Sequence, residues 1–204
     1  MKEKNTEMRT EQLRERILEA TIRVFNRKGL KLTMDDLAEE LSMSKKTIYT
    51  VFTDKQALFA EMVDYCFDKI KESERMVMED ESLPTVEKLR KVLGVMPEGY
   101  QEIDLRQIYP LKNKFPDIYR KVEERLENGW EQVIELLRRG MAEGSIREVS
   151  IPLFKMIFEA AVEQFFQRDI LVVNELSYTQ ALNEVVCILV DGIVLTENES
   201  NRKE

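Results

Sequence analysis

Ser44-Lys45-Lys46-Thr47 is a run of four polar side chains, two of them cationic, set just ahead of the apolar residues Ile48, Val51 and Phe52. Hydroxyl and ammonium groups so arranged do non-covalent work. They donate to phosphate oxygens and to acceptors on base edges, while the apolar set holds the segment from behind. Covalent chemistry has little to draw on. The chain has no histidine, which excludes Ser-His-Asp and Cys-His nucleophiles. Neither a phosphate-binding glycine loop nor a dinucleotide fingerprint is present. Paired carboxylates such as Glu123-Glu124 fall on a predicted solvent face. Cys66 and Cys187 stand far apart, so no zinc or other nitrogen/sulfur metal site is expected. An enzyme is not expected, nor is a cofactor.

The run is positioned by the stretch Leu32–Phe59. Thr33 is an N-cap and Asp36, three residues on, makes it a capping box. Met34, Leu37, Ala38 and Leu41 then share one helical face. Ser42-Met43-Ser44 interrupts that pattern, and Ser44 caps a second short helix. Thr53 with Gln56 reads as another capping box, opening a third helix at Ala57, Leu58 and Phe59. Two short helices joined by a tight turn are a helix-turn-helix. In such motifs the second helix enters the major groove, about 12 Å wide, and reads bases with its N-terminal residues. Those residues are Ser44, Lys45, Lys46 and Thr47, with Thr50 one turn further on. The amides at Thr33, at the start of the first helix, are placed to hold a phosphate.

This segment resembles the DNA-binding domain of the TetR family of bacterial transcriptional regulators. The match is carried by Thr33, Asp36, Leu37, Ala38, Leu41 and above all by the run SKKTIYTVFTDKQALF. It covers about 50 residues, roughly Arg9 to Phe59. The resemblance implies phosphate contacts from Tyr49 and Lys55. Family members usually carry glycine where this chain has Ser42 and Lys46, a basic residue at Thr50, and histidine or tyrosine at Val51. Ser42 is where a left-handed turn residue is expected, with a strain of roughly 0.5–1 kcal/mol.

Net charge is −8, which by itself argues against a nucleic-acid partner. The distribution reverses that argument. Residues 1–60 hold 12 Lys/Arg against 10 Asp/Glu, while residues 61–204 hold 19 against 29. Charges screen over about 8–10 Å in physiological salt, so the acidic remainder acts only locally. The two thiols suit a reducing, cytoplasmic location. The N-terminus MKEKNTEMRT lacks the apolar core of a signal peptide, and no apolar run approaches the ~20 residues of a membrane span. No membrane partner is expected.

The whole chain reads as all-α, with about nine helices. A frayed arm over residues 1–8 precedes a helix from Thr10 to Lys28, buried through Leu13, Ile17, Ala20, Val24 and Phe25 and stopped at Gly29. After the reading motif, helices are predicted from Thr53 to Met78, Pro84 to Val95, Tyr100 to Ile108, Phe115 to Met141, Pro152 to Leu171 and Leu176 to Thr196. The tail ENESNRKE reads as disordered. The expected domains are 1–53, a three-helix DNA-binding unit with the helix-turn-helix, and 54–204, a larger helical effector-binding and dimerisation unit. The helix from about 54 connects them.

The two C-terminal helices have apolar faces too wide for one neighbour to cover, among them Ile157, Phe158, Val186, Ile188 and Leu189. A two-fold homodimer accounts for them. The resemblance further implies a small-molecule effector in the C-terminal domain. Phe67, Met96, Tyr100, Ile103, Tyr109, Trp130, Phe158 and Phe165 are the candidate lining. The expectation is a sequence-specific regulator, a repressor released from a palindromic double-stranded operator by its effector. A DNA-binding architectural protein without an effector, or a helical interaction protein that has lost DNA binding, are the alternatives.

Overall fold

The computed structural model describes residues 2–97, 110–167 and 170–195. The described residues form α1 (Lys2–Lys28), a 3-10 turn (Gly29–Lys31), α2 (Met34–Glu40), α3 (Lys45–Tyr49), α4 (Lys55–Glu79) and α5 (Thr85–Gly94). There follow α6 (Leu111–Lys114), α7 (Pro116–Glu127), α8 (Glu131–Glu143), α9 (Ile151–Gln167), α10 (Ile170–Val173) and α11 (Tyr178–Asp191). The only extended pairing among the described residues is an isolated bridge between Ile146 and Val194. The fold is all-α, as expected, with α6 and α10 single turns.

Contacts group the described parts of Met1–Phe67 and Ile103–Glu123 into one compact unit. Asp68–Glu102 and Glu124–Glu204 supply the other. The first unit contains the whole segment 1–53 and adds the opening turns of α4 and most of α7. Ile17, Ala20, Val24 and Phe25 of α1 are buried with Leu37, Ile48, Phe52, Leu58 and Phe59. Leu13 is half-buried. Phe59 is the centre of an edge-to-face series, its ring 5.6 Å from Phe25 and 5.7 Å from Phe115. Such pairs add about 0.5–1.5 kcal/mol beyond burial. In the second unit α5 packs between α8 and α11, burying Leu89, Val92, Leu136, Leu137, Val186 and Val190.

Several element boundaries differ from expectation. The arm expected to fray is helical from Lys2, continuous with α1. The cap of α4 is Asp54 rather than Thr53: the Ala57 amide donates to Asp54 Oδ1 at 2.8 Å. The C-terminal helices are shorter than predicted, and α11 starts behind a capping box of Ser177 and Gln180. The helix expected between Tyr100 and Ile108 and the tail 197–204 lie outside the described residues.

The largest correction is the single helix expected from Phe115 to Met141, which breaks into α7 and α8 at Gly129. Gly129 adopts φ +82°, a left-handed conformation that costs a residue with a Cβ. Lys71 donates to the freed Gly129 carbonyl at 2.8 Å and also pairs with the buried Glu74 at 2.7 Å. A Cβ at position 129 would lie 2.6 Å from Lys71 Cε. Gly129→Ala is therefore expected to destabilise the protein by about 1–3 kcal/mol. The check is a lower urea midpoint at unchanged m value.

Candidate nucleic-acid interface

The reading motif is held by local hydrogen bonds that the side-chain types dictate. Thr33 is extended (φ −122°, ψ 162°). Its Oγ1 accepts from the Asp36 amide at 3.2 Å, and its own amide donates to Asp36 Oδ2 at 2.8 Å. Both halves of the expected capping box are thus present. The turn after α2 passes through Ser42 at φ 51°, the left-handed conformation anticipated there. The Met43 amide donates to the Ala38 carbonyl at 2.9 Å, closing the helix end. Ser44 caps α3, its Oγ accepting from the Thr47 amide at 3.2 Å.

α3 has two contrasting sides. Ile48 is fully buried, and Phe52 just beyond the helix is 1% exposed. Ser44, Lys45, Lys46, Tyr49 and Thr50 are exposed and Thr47 is half-exposed. Tyr49 keeps 49% of its surface in solvent, so its ring is not a core ring. The Thr50 hydroxyl donates to the Thr47 carbonyl at 2.6 Å. Among the described residues no carboxylate pairs with Lys46.

The two other expected cations are already engaged. Lys45 Nζ lies 2.7 Å from Asp35 Oδ1. That hydrogen bond, ahead of other effects, raises the Lys45 pKa. To reach DNA, Lys45 must exchange an exposed carboxylate for a phosphate or base edge, a modest cost for a surface pair. Lys55 turns inward: its ammonium donates to the Leu30 carbonyl at 2.7 Å and lies 5.2 Å from the centre of the Phe59 ring. Burial first, then repulsion from Lys114, lowers its pKa. Sequence reasoning did not foresee either arrangement. Asp35, at the start of α2, is an acidic signal that local spacing alone does not connect to Lys45.

Lys28 sits 2.6 Å from Asp36 Oδ1, and Glu40 accepts from Arg23 at 3.0 Å and Arg27 at 2.5 Å. These contacts tie α1 to α2. The Lys28 hydrogen bond, then the Thr33 amide and hydroxyl, hold the Asp36 carboxyl down at about 2. An unfolded Asp titrates near 4. The folded value is lower, so the ionised contribution is full above about pH 4 and is lost as pH falls through about 2. Asp36→Asn is expected to be less stable than the parent at neutral pH. The difference should shrink between about pH 4 and pH 2, as read by thermal melts across that range.

Of the eight candidate effector-lining residues, five are among the described residues. Phe67, in the first unit, and Met96, in the second, are half-buried. Tyr100, Ile103 and Tyr109 lie outside the described residues. Trp130 and Phe158 meet edge to face at 5.5 Å, with Lys155 Nζ 5.7 Å from the Trp130 ring centre. Phe165 packs on Tyr178 at 5.9 Å, in a cluster with Leu171 and Ala181. The second unit also carries an apolar groove of about 330 Å³, lined by Leu153, Phe154, Ile157, Ile188 and Ile193 among others. Leu153, Met156, Ile157 and Ile188 are 48–68% exposed.

Burial pushes the Cys66 thiol up to about 12, leaving it an unreactive apolar group, while Cys187 is exposed. Among the described residues no group of three or more His, Cys, Asp or Glu side chains could hold a metal ion. No helix described is long and apolar enough to cross a membrane.

Comparison with known proteins bears on the same segment. Residues 17–62 match the family model described as bacterial regulatory proteins, tetR family. The chain is 28% identical over 182 residues to the uncharacterized HTH-type transcriptional regulator YvaF of Bacillus subtilis (strain 168), covering 89% of this chain and 96% of the relative. Among solved structures, a TetR-family regulator from Cytophaga hutchinsonii superposes with a TM-score of 0.70 at 21% identity, over 93% of this chain and 98% of the other. The regulator FadR from Bacillus subtilis, in complex with stearoyl-CoA, superposes with a TM-score of 0.60 at 17% identity, over 88% and 98%. The matched segment spans the buried face of α1, the two capped helices and the opening of α4, the parts that present Lys45 and Lys46 outward. The chain thus has the fold of TetR-family regulators, and its segment 17–62 is similar to the tetR family model.

Proposed function

We propose that the protein is a cytoplasmic repressor that binds a near-palindromic operator as a homodimer and leaves it when a small effector occupies the second unit. The observation that carries this reading is α3: capped at Ser44, anchored by Ile48 and Phe52, and exposed along Lys45, Lys46 and Tyr49. Ser44, Lys45, Lys46 and Thr47 would face base edges. Thr33, Tyr49 and Thr50 would meet flanking phosphates. Lys55 would do so only after releasing the Leu30 carbonyl. The exposed apolar residues of α9 and α11 supply the surface for pairing two copies, which a palindromic site requires.

Segment 1–53 is taken as the reading head and 54–204 as the effector and dimer domain. The chain of α4 runs from one into the other and is the natural coupling element. An effector shifts operator binding only by its difference in affinity between the DNA-competent and DNA-incompetent states. Because FadR from Bacillus subtilis is held with stearoyl-CoA, long-chain acyl thioesters are the first compounds to screen.

The test is selection of bound duplexes from a random pool, followed by titration of acyl thioesters and other small molecules against the selected site. A two-fold-related consensus with an affinity that one compound lowers supports the reading. Binding without sequence preference would favour an architectural protein. An operator whose affinity no compound alters, including any that raises the melting temperature, would remove the effector from the account.

A further inference from the structure

The first unit carries a second cationic feature, apart from α3. Arg27, Lys28, Lys31, Thr33, Asp36 and Lys114 line an open recess of about 800 Å³. Its charges are not balanced. Arg27 is paired with Glu40, and Lys28 with Asp36. Lys31 and Lys114 are exposed and have no acidic partner among the described residues. Lys55, tied to the Leu30 carbonyl of the same turn, is close enough to Lys114 for their repulsion to register in its titration. Lys31 and Lys114 thus share one concavity with no carboxylate paired to either among the described residues, Lys55 stands beside it, and the one acid in the lining, Asp36, is already paired with Lys28. Uncompensated cations held together in this way favour an anion between them.

Continuity identifies that anion. Thr33 lines the recess and also opens α2, whose first turn holds Lys45 through Asp35. The recess therefore borders the start of the helix that packs on α3. An anion that occupies both places at once is a polyanion with regularly spaced phosphates. We propose that the recess is an outer clamp for the DNA backbone, with Lys31 and Lys114 contacting phosphates beyond the groove that α3 reads. Lys114 lies far along the chain from the helix-turn-helix, so this contact lengthens the footprint of each protomer with a residue outside the segment 17–62. The proposal rests on the regulator reading and adds to it a sequence-independent contact.

Phosphate contacts have a signature that base contacts lack. Each neutralised phosphate contributes about −0.9 to the slope of log affinity against log salt. Loss of one weakens all sequences alike. The experiment measures binding of the full-length protein to its selected operator and to a scrambled duplex, across salt concentrations. The proteins are the parent, Lys31→Gln/Lys114→Gln, and Lys31→Arg/Lys114→Arg. The Gln pair is expected to flatten the slope by about 1.8 per protomer. Operator and scrambled duplex should lose affinity by the same factor, and the Arg pair should keep the parent slope. Melting midpoints of all three are expected to agree, since both lysines are exposed.

An unchanged slope in the Gln pair, with operator binding intact, overturns the clamp and leaves the regulator reading standing. So does a loss confined to the operator, or inorganic phosphate raising the melting midpoint of the parent but not of the Gln pair while the DNA slopes coincide. If the parent itself selects no duplex, the regulator reading falls and the clamp with it.

Discussion

Lys45→Ala/Lys46→Ala is expected to bind the selected operator at least about a hundredfold more weakly than the parent, with little change in melting temperature. A well-placed side-chain contact to a base is worth about 1–3 kcal/mol of discrimination, and a two-fold complex uses each contact twice. Both lysines are exposed, and the cap of α3 comes from Ser44 and the Thr47 amide, so neither substitution removes a fold-bearing contact. Among the described residues the only internal ion-pair partner lost is Asp35, itself exposed. Fluorescence anisotropy at fixed salt measures the effect. Operator affinity should fall much more than affinity for a scrambled duplex, the reverse of the uniform loss expected at Lys31 and Lys114.

The second large effect lies in the other unit. Ile188→Asp should convert the proposed dimer to monomers and lower operator affinity by roughly two to four orders of magnitude, the usual range when a linked second site is lost. Ile188 is 68% exposed on α11, so the change leaves the protomer's own core in place. At a two-fold interface it would confront two carboxylates in an apolar setting, and an unpaired buried charge costs several kcal/mol. Sedimentation velocity reads the assembly directly. A variant that stays dimeric would place the pairing surface elsewhere.

What could be read from the sequence follows the range over which each interaction acts. Thr33 with Asp36, and Ser44 with the Thr47 amide, are contacts within four residues, and side-chain type together with spacing specifies them. The left-handed Ser42 was legible only through the family resemblance, whose members usually carry glycine there. Asp54 displaced Thr53 as the cap of α4 because two adjacent oxygen-bearing side chains compete for the same amides, and spacing does not rank them.

The break at Gly129 was obscured by the apolar series Ile118, Val122, Leu126, Val133 and Leu137, which keeps a helical rhythm on both sides. What makes the break tenable is Lys71, from α4, on the Gly129 carbonyl, a long-range contact. The same holds for the site. Exposure of Lys46 and Tyr49 followed from the helical face, whereas the inward turn of Lys55 depends on Leu30 and Phe59. The joining of Lys31 to Lys114 required the fold. The ring pairs Trp130–Phe158 and Phe165–Tyr178 also join residues distant in sequence, because aromatic type marks burial and not which neighbour shares it.

The central claim is that two copies of α3 occupy major grooves on one face of a duplex. Protection of guanine N7 from methylation, mapped on the selected operator with full-length protein, tests it most directly, since N7 is reachable only from the major groove. Two protected patches are expected, related by two-fold symmetry and centred a whole number of helical turns apart, about 10–10.5 base pairs or a multiple of it. Bound DNA with every N7 still open to methylation, or with a single unpaired patch, would contradict the account.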